Sequence, residues 1–157
     1  MRILLVNYRY FISGGPEKYM FNIKTMLENQ GHEVIPFSIH SNKNVATEYS
    51  KYFVEPIGGR DATYFEEVKK TPKSIWQMLT RSIYSKEVEK AIKREIDDVK
   101  PDLVYIIHFV NKLSPSVIRG ARKKGIPVVL RLSDYFLLCP RFDFMYEKKA
   151  VSYTHLR

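Results

Sequence analysis

At 157 residues, with 45% hydrophobic and 27% charged, the sequence has the make-up of one compact soluble domain rather than a disordered chain. No apolar run is long enough to span a bilayer, no signal peptide is expected, and a lone Cys139 excludes an internal disulfide and fits a reducing cytoplasm. The net charge of +9 suits anionic lipid, nucleic acid or a phosphorylated substrate, although solvated helix faces with pairs such as Glu89 and Lys93 are the plainer account of it.

Ile3 to Val6 is a continuous apolar run, the pattern of a strand covered on both faces. After Tyr8 to Ser13 comes Gly14-Gly15-Pro16-Glu17. The glycine pair predicts a sharp turn that approaches a ligand with no Cβ in the way, and Pro16 suits the first turn of a helix. Strand, glycine turn and helix N-terminus in that order aim free N–H groups at an anion such as a phosphate. A turn that needs glycine purely for its geometry is the plainer alternative. The segment is neither the dinucleotide fingerprint nor a Walker loop.

The first helix is expected from about Pro16 to Gln30, with Tyr19, Met20, Ile23, Met26 and Leu27 on one face and Gly31 ending it. Val34 to Ile39 reads as a second strand, placed near an edge or bulge by Pro36, with His32 at the surface before it. Residues 41–72 read as a loop with short helical pieces and a Gly58-Gly59 turn. Its aromatics, Tyr49, Tyr52, Phe53, Tyr64 and Phe65, either stack on a base or sugar or cover the core.

From Ser74 to Val99 the pattern is helical. Ile75, Leu79 and Ile83 share one face, Val88, Ile92, Ile96 and Val99 another, and the phase shift at Tyr84-Ser85 predicts two helices or one bent helix. Pro101 stops this run, and Leu103 to Ile107 makes the third strand. Ser114-Pro115 opens a helix with Val117, Ile118 and Ala121 inward and Gly125 at its end. Ile126 to Leu132 reads as the fourth strand, apolar apart from Arg131, and Ser133 to Arg141 as a loop broken by Pro140.

This alternation predicts an α/β, doubly wound (Rossmann-like) parallel sheet with helices on both faces. Such sheets bind ligands outside the carboxyl ends of their strands at the switch point, where the loops Asn7 to Gly15, His108 to Lys112 and Ser133 to Arg141 are expected to meet. His108 stands there as a proton carrier, a sugar-hydroxyl partner or a structural hydrogen-bonding residue. Asp134 either accepts hydrogen bonds from sugar hydroxyls or caps the next helix. Cys139 has no clustered partner for a metal, and no Ser/His/Asp or Cys/His set supports covalent hydrolysis.

Gly14-Gly15-Pro16-Glu17, Ser50-Lys-Tyr-Phe53, Lys100-Pro-Asp-Leu103 with His108 after its strand, Leu113-Ser-Pro-Ser116, and Gly125-Ile-Pro-Val-Val129 leading to Asp134-Tyr135 and Leu138-Cys-Pro-Arg141 occur in that order. As an ordered set they resemble the retaining glycosyltransferases of family 4, which have two Rossmann-like domains in the GT-B fold. The resemblance implies an N-terminal, mainly acceptor-binding domain over residues 1–150, lacking its last strands, with 151–157 as a non-native tail. It implies that the Gly14 and Gly15 amides approach the donor diphosphate. His108, Ser133 and Asp134 are expected in the catalytic crevice, and Tyr10, Glu17, Asn111 and Arg141 at the acceptor. Many relatives have His-Asp where this chain has Ser133-Asp134.

The implied reaction moves a sugar from a nucleotide-diphosphate donor to a glycan or lipid-linked acceptor. It proceeds with retention, without metal or cofactor, and with the leaving diphosphate stabilised by preorganised charge. The expected setting is the cytoplasm, with peripheral contact at an anionic inner membrane face and no specific nucleic acid. The second domain, with the carboxylates that hold the donor, is expected outside this sequence, so the chain alone should not turn over. The alternatives are a non-enzymatic flavodoxin-like binding or regulatory module and a basic nucleic-acid binder. A receiver-type module would need clustered acids where Asn7-Tyr8 stand, and no recognition motif supports the nucleic-acid reading.

Overall fold

The opening apolar run forms β1, Arg2–Asn7, in which Ile3 to Asn7 are all buried. A strand shielded on both faces belongs inside a sheet. In the computed structural model, which describes residues 1–57, 71–109, 112–132, 145–146 and 149–150, β1 lies between β2 (Glu33–Phe37) and β3 (Leu103–His108). With β4 (Val128–Leu130) beyond β3, the sheet has four strands in the order β2-β1-β3-β4, all parallel. This is the Rossmann-like α/β arrangement that the alternation predicts. Pro36 sits on the outer strand β2, where a missing N–H is tolerated.

Each face of the sheet is covered by its own apolar cluster. Helix α1 (Gly15–Asn29) covers one, with Met20 against Leu5, Val34 and Ile107. Helices α3 (Lys86–Val99) and α4 (Ser116–Lys123) cover the other. There Val88, Ile92, Ile96, Val117 and Ala121 pack on Leu4, Val6, Ile35, Val104 and Ile106. The two helices approach closely at Gly120, where an added Cβ would fall 2.6 Å from Ile92 Cγ2.

Local signals account for most element ends. Gly31 ends α1 with φ +79, a left-handed conformation that favours glycine. Ser85 Oγ accepts from Val88 N at 3.4 Å and starts α3, so the phase shift marks two helices, α2 (Pro72–Ile83) and α3. The ladder between β1 and β3 runs in register from Ile3–Leu103 to Val6–Ile106 and then shifts, so that Asn7 pairs with His108.

Several expectations are corrected. Strand β4 is only Val128–Leu130, because Pro127 offers no N–H at its start and the pairing with β3 ends at Ile106. Met26 is exposed on the outer side of α1. Of the two readings of the loop aromatics, Tyr52 and Phe53, at and after the 3₁₀ turn Glu48–Tyr52, follow the second: they are buried and, with the bridge between Ile39 and Val54, cover the core. Ile75 and Ile83 face solvent. A two-stranded antiparallel ribbon, β5 (Met145–Tyr146) and β6 (Lys149–Ala150), also occurs. The Gly58-Gly59 turn, Tyr64, Phe65, Cys139 and the 151–157 tail lie outside the described residues. Among the described residues no helix is long and apolar enough to cross a membrane.

Candidate active site at the carboxyl edge of the sheet

The switch point lies between β1 and β3, whose carboxyl ends meet at Asn7 and His108. Tyr8 N donates to the His108 carbonyl at 3.1 Å, and the two rings meet edge to face with centroids 5.0 Å apart. His108, half-buried, is therefore fixed at the rim by the chain leaving β1.

The loop over residues 8–14 is held by Arg9. Its guanidinium lies over the Tyr8 ring at 5.0 Å and donates through Nη1 to Ser13 Oγ at 2.9 Å. Asn7 Nδ2 donates to the Arg9 carbonyl at 2.8 Å, and Val45 N to the Tyr10 carbonyl at 2.9 Å. Tyr10 itself is 4% exposed, its ring packed between Phe21 and Phe53 at 5.3 and 5.9 Å. Burial pushes its hydroxyl up to about 12. The residue expected at the acceptor thus anchors the loop to the core with its ring.

The glycine turn is the informative part. Gly14 has φ −172 and ψ −162, extended backbone that any residue adopts, so the expected need for glycine to make a sharp bend does not arise. An added Cβ on Gly14 would meet only Glu17 Oε2, at an ordinary 3.5 Å, besides Pro16; on Gly15 it would meet nothing within 4 Å. Neither backbone nor packing demands glycine at these positions. The first helical bond, Lys18 N to the Gly14 carbonyl at 3.1 Å, leaves the Gly14, Gly15 and Glu17 amides outside the ladder, with no side chain capping them. Gly15 is exposed, so bare amides at the positive end of α1 face solvent.

Two buried acceptors, one at the end of β1 and one in the first turn of α1, have no donor. Glu17, 1% exposed, leaves Oε1 without a hydrogen bond, and Asn7, also buried, leaves Oδ1 so. Each such group costs about 1–3 kcal/mol when left unmade. A cation completes the edge. Arg131, just past β4, donates its N–H to the Ile106 carbonyl at 2.9 Å and lays its guanidinium 3.7 Å from the Tyr19 centroid. Tyr19 follows Gly15 by one helical turn, and its hydroxyl meets that of Tyr105 at 2.9 Å. Burial, then the hydrogen bond to Tyr19, pushes the Tyr105 hydroxyl up to about 12.

No protein-family model matches the sequence, and no curated protein does. Among solved structures the chain is similar to MurG from Acinetobacter baumannii, a glycosyltransferase of GT-B fold, with a TM-score of 0.51 and 17% identity. The match covers 82% of this chain and 34% of that one, so the chain spans about a third of its neighbour's length. The fold is GT-B-like. At this identity the likeness speaks for the fold alone.

Within this GT-B-like half, Gly14, Gly15, Glu17 and His108 belong to the carboxyl side of the central strands and the start of α1. Asn111, Ser133, Asp134 and Arg141 lie outside the described residues. The sequence assigns no role to Asn7 or Arg131. Each is a lone polar residue at the end of an apolar run, a signal visible in the sequence but without an indication of what it meets.

Proposed function

We propose that the chain is the N-terminal part of a retaining glycosyltransferase of the family 4 type. It moves a sugar from a nucleotide-diphosphate donor to a glycan or lipid-linked acceptor at the cytoplasmic side of a membrane. The observation that carries this reading is the Gly14-Gly15 turn. It has room for side chains and no backbone need of glycine, yet presents bare amides at the mouth of the central strand. A ligand that packs against the backbone explains what the protein's own geometry does not. The GT-B-like fold supports the same class.

In this reading the bond between the anomeric carbon and the donor's phosphate oxygen breaks, and negative charge gathers on the leaving diphosphate. The Gly14 and Gly15 amides, the α1 dipole and the Arg131 guanidinium are fixed beforehand and stabilise that charge as it develops. His108, at the rim, meets a sugar hydroxyl or takes up a proton. The resemblance to the family implies roles for Ser133 and Asp134 as well, and neither metal nor cofactor is required in this reading. The nucleoside is held by a second domain, so this chain alone binds diphosphate weakly and does not turn over.

The test is a titration of the chain with uridine and guanosine diphosphates followed by amide NMR. The Gly14, Gly15 and Glu17 signals are expected to move first and furthest. In the full-length protein, Gly15→Val should abolish sugar transfer. Unmoved glycine amides, together with a full-length protein that transfers no sugar from any donor tried, would falsify the reading.

A further inference from the structure

Ser114, in the loop after β3, is fully buried and has φ +78. That is the left-handed region, where a Cβ crowds its own chain and glycine or asparagine is the usual residue. Gly14 is a glycine whose backbone does not need one; here the backbone favours glycine and the chain has a serine. The hydroxyl is what glycine lacks, and its contacts show what it holds.

Ser114 Oγ accepts from two main-chain amides. One is local: Ser116 N, at 3.3 Å, shapes the start of α4. The other is Ser85 N at 3.1 Å, 29 residues away at the head of α3. Ser116 Oγ lies 3.0 Å from the same oxygen. All three serines are buried, and the neighbouring Leu113, Val117 and Val88 belong to the apolar core. Polar groups that satisfy one another inside such a core permit few arrangements, and a buried Ser85 amide without its acceptor would be an orphan.

The same turn reaches the rim. The Phe109 carbonyl accepts from the amides of Lys112, Leu113 and Ser114 at 3.4, 2.9 and 3.3 Å. Phe109 is itself buried in the core and directly follows His108. His108 is thus held on one side by Tyr8 N, and on the other by a turn that Ser114 pins to α3.

We propose that Ser114 is a positioning residue for His108. Its hydroxyl latches the loop after β3 to the head of α3 and so fixes where the imidazole stands. Glycine would relieve the backbone but has no oxygen to offer Ser85. The use of His108 in catalysis rests on the sugar-transfer reading; the latch itself does not.

Ser114→Gly keeps the left-handed backbone and removes the hydroxyl. Amide exchange at Ser85 should quicken about five- to tenfold, the worth of one hydrogen bond. The nuclear Overhauser contact between the Tyr8 and His108 rings should weaken. Ser116→Ala removes a buried hydroxyl but keeps the bond from Ser85 to Ser114, and should leave that ring contact as in the wild type. In the wild-type chain, mild denaturant should open the Ser85 and Leu113 amides as one unit, a measurement that stands even if Ser114→Gly does not fold. In the full-length protein, Ser114→Gly should lower kcat and leave the donor KM unchanged. A full-length wild type that transfers no sugar would sink the sugar-transfer reading and not the latch. The latch is overturned if the ring contact persists unchanged in Ser114→Gly, or if Ser116→Ala weakens it equally. It is also overturned if Ser85 and Leu113 open separately, or if an active full-length protein keeps its kcat in Ser114→Gly.

Discussion

The Arg131 guanidinium lies 3.7 Å from the centroid of the Tyr19 ring and so ties the end of β4 to the second turn of α1. Tyr19 is in turn held by Tyr105 of β3, which gives the cation a seat built from several elements. Without an acidic partner among the described residues, its N–H donors are available to a ligand oxygen. Arg131→Met should change stability by less than about 1 kcal/mol, the worth of an exposed cation–π contact. Affinity for nucleoside diphosphate should fall about tenfold or more, as expected for a lost charge-assisted hydrogen bond. Thermal melts and titration of the Gly15 amide check the two halves. Unchanged affinity would reduce Arg131 to a packing residue.

Gly15→Ala offers a test in which stability and binding move in opposite directions. The added methyl meets nothing in the protein and restricts the unfolded chain, so the variant should gain about 0.4–1 kcal/mol. The same methyl stands where an anion would approach the amides, and diphosphate binding should drop. A loss of stability in chemical denaturation would mean that the backbone needs glycine after all.

Glu95 on α3 is buried, and neither carboxyl oxygen has a hydrogen bond. Burial holds its pKa well above the ordinary 4.5. It is therefore protonated in the fold and ionised in the unfolded chain above that value, so folding stability should fall as pH rises, by up to about 1.4 kcal/mol per unit. Glu89 works the other way. Its hydrogen bonds, first to Lys123 and then to Lys93, hold its carboxyl at about 2, and the stability it contributes is lost as pH falls from 4.5 toward that value. Glu95→Gln should flatten the alkaline side of the stability profile and leave the acid side intact. Urea midpoints across the pH range would show it; a wild-type profile flat above pH 5 would refute the account.

Helices α3 and α4 approach closely at Gly120, where an added Cβ would fall 2.6 Å from a stiff, buried Ile92. Alanine there gains about 1 kcal/mol in helix propensity but forces overpacking that costs about 1–3 kcal/mol. Gly120→Ala should thus be neutral to about 2 kcal/mol less stable in urea, and Gly120→Ala with Ile92→Val should recover part of any loss. A plainly stabilised single variant would show that the helices separate at little cost.

The layout of the fold was legible because its signals are local. The apolar runs of β1 and β3, the glycine after α1 and the serine at the head of α3 each specify an element or its end. What the sequence withheld depends on distant partners. Periodicity shows that Ile75, Leu79 and Ile83 share a face, but not that Arg81 would turn that face outward by reaching the Glu55 carbonyl. The resemblance puts Tyr10 at the acceptor, yet Phe21 and Phe53 enclose its ring from distant positions. At Gly14-Gly15 the letters announce glycine without saying whether a dihedral angle or an empty space requires it, and only coordinates separate the two.

The offset at Val6 and Asn7 has a consequence for how such a site can change. Before it, strict alternation sends Val104 and Ile106 to one layer and Tyr105 to the other. At the offset that alternation lapses, because an extra residue on one strand resets the phase. Asn7 and His108 can therefore be re-aimed together by edits to the few residues around the slip, with the hydrophobic layers beneath left as they are.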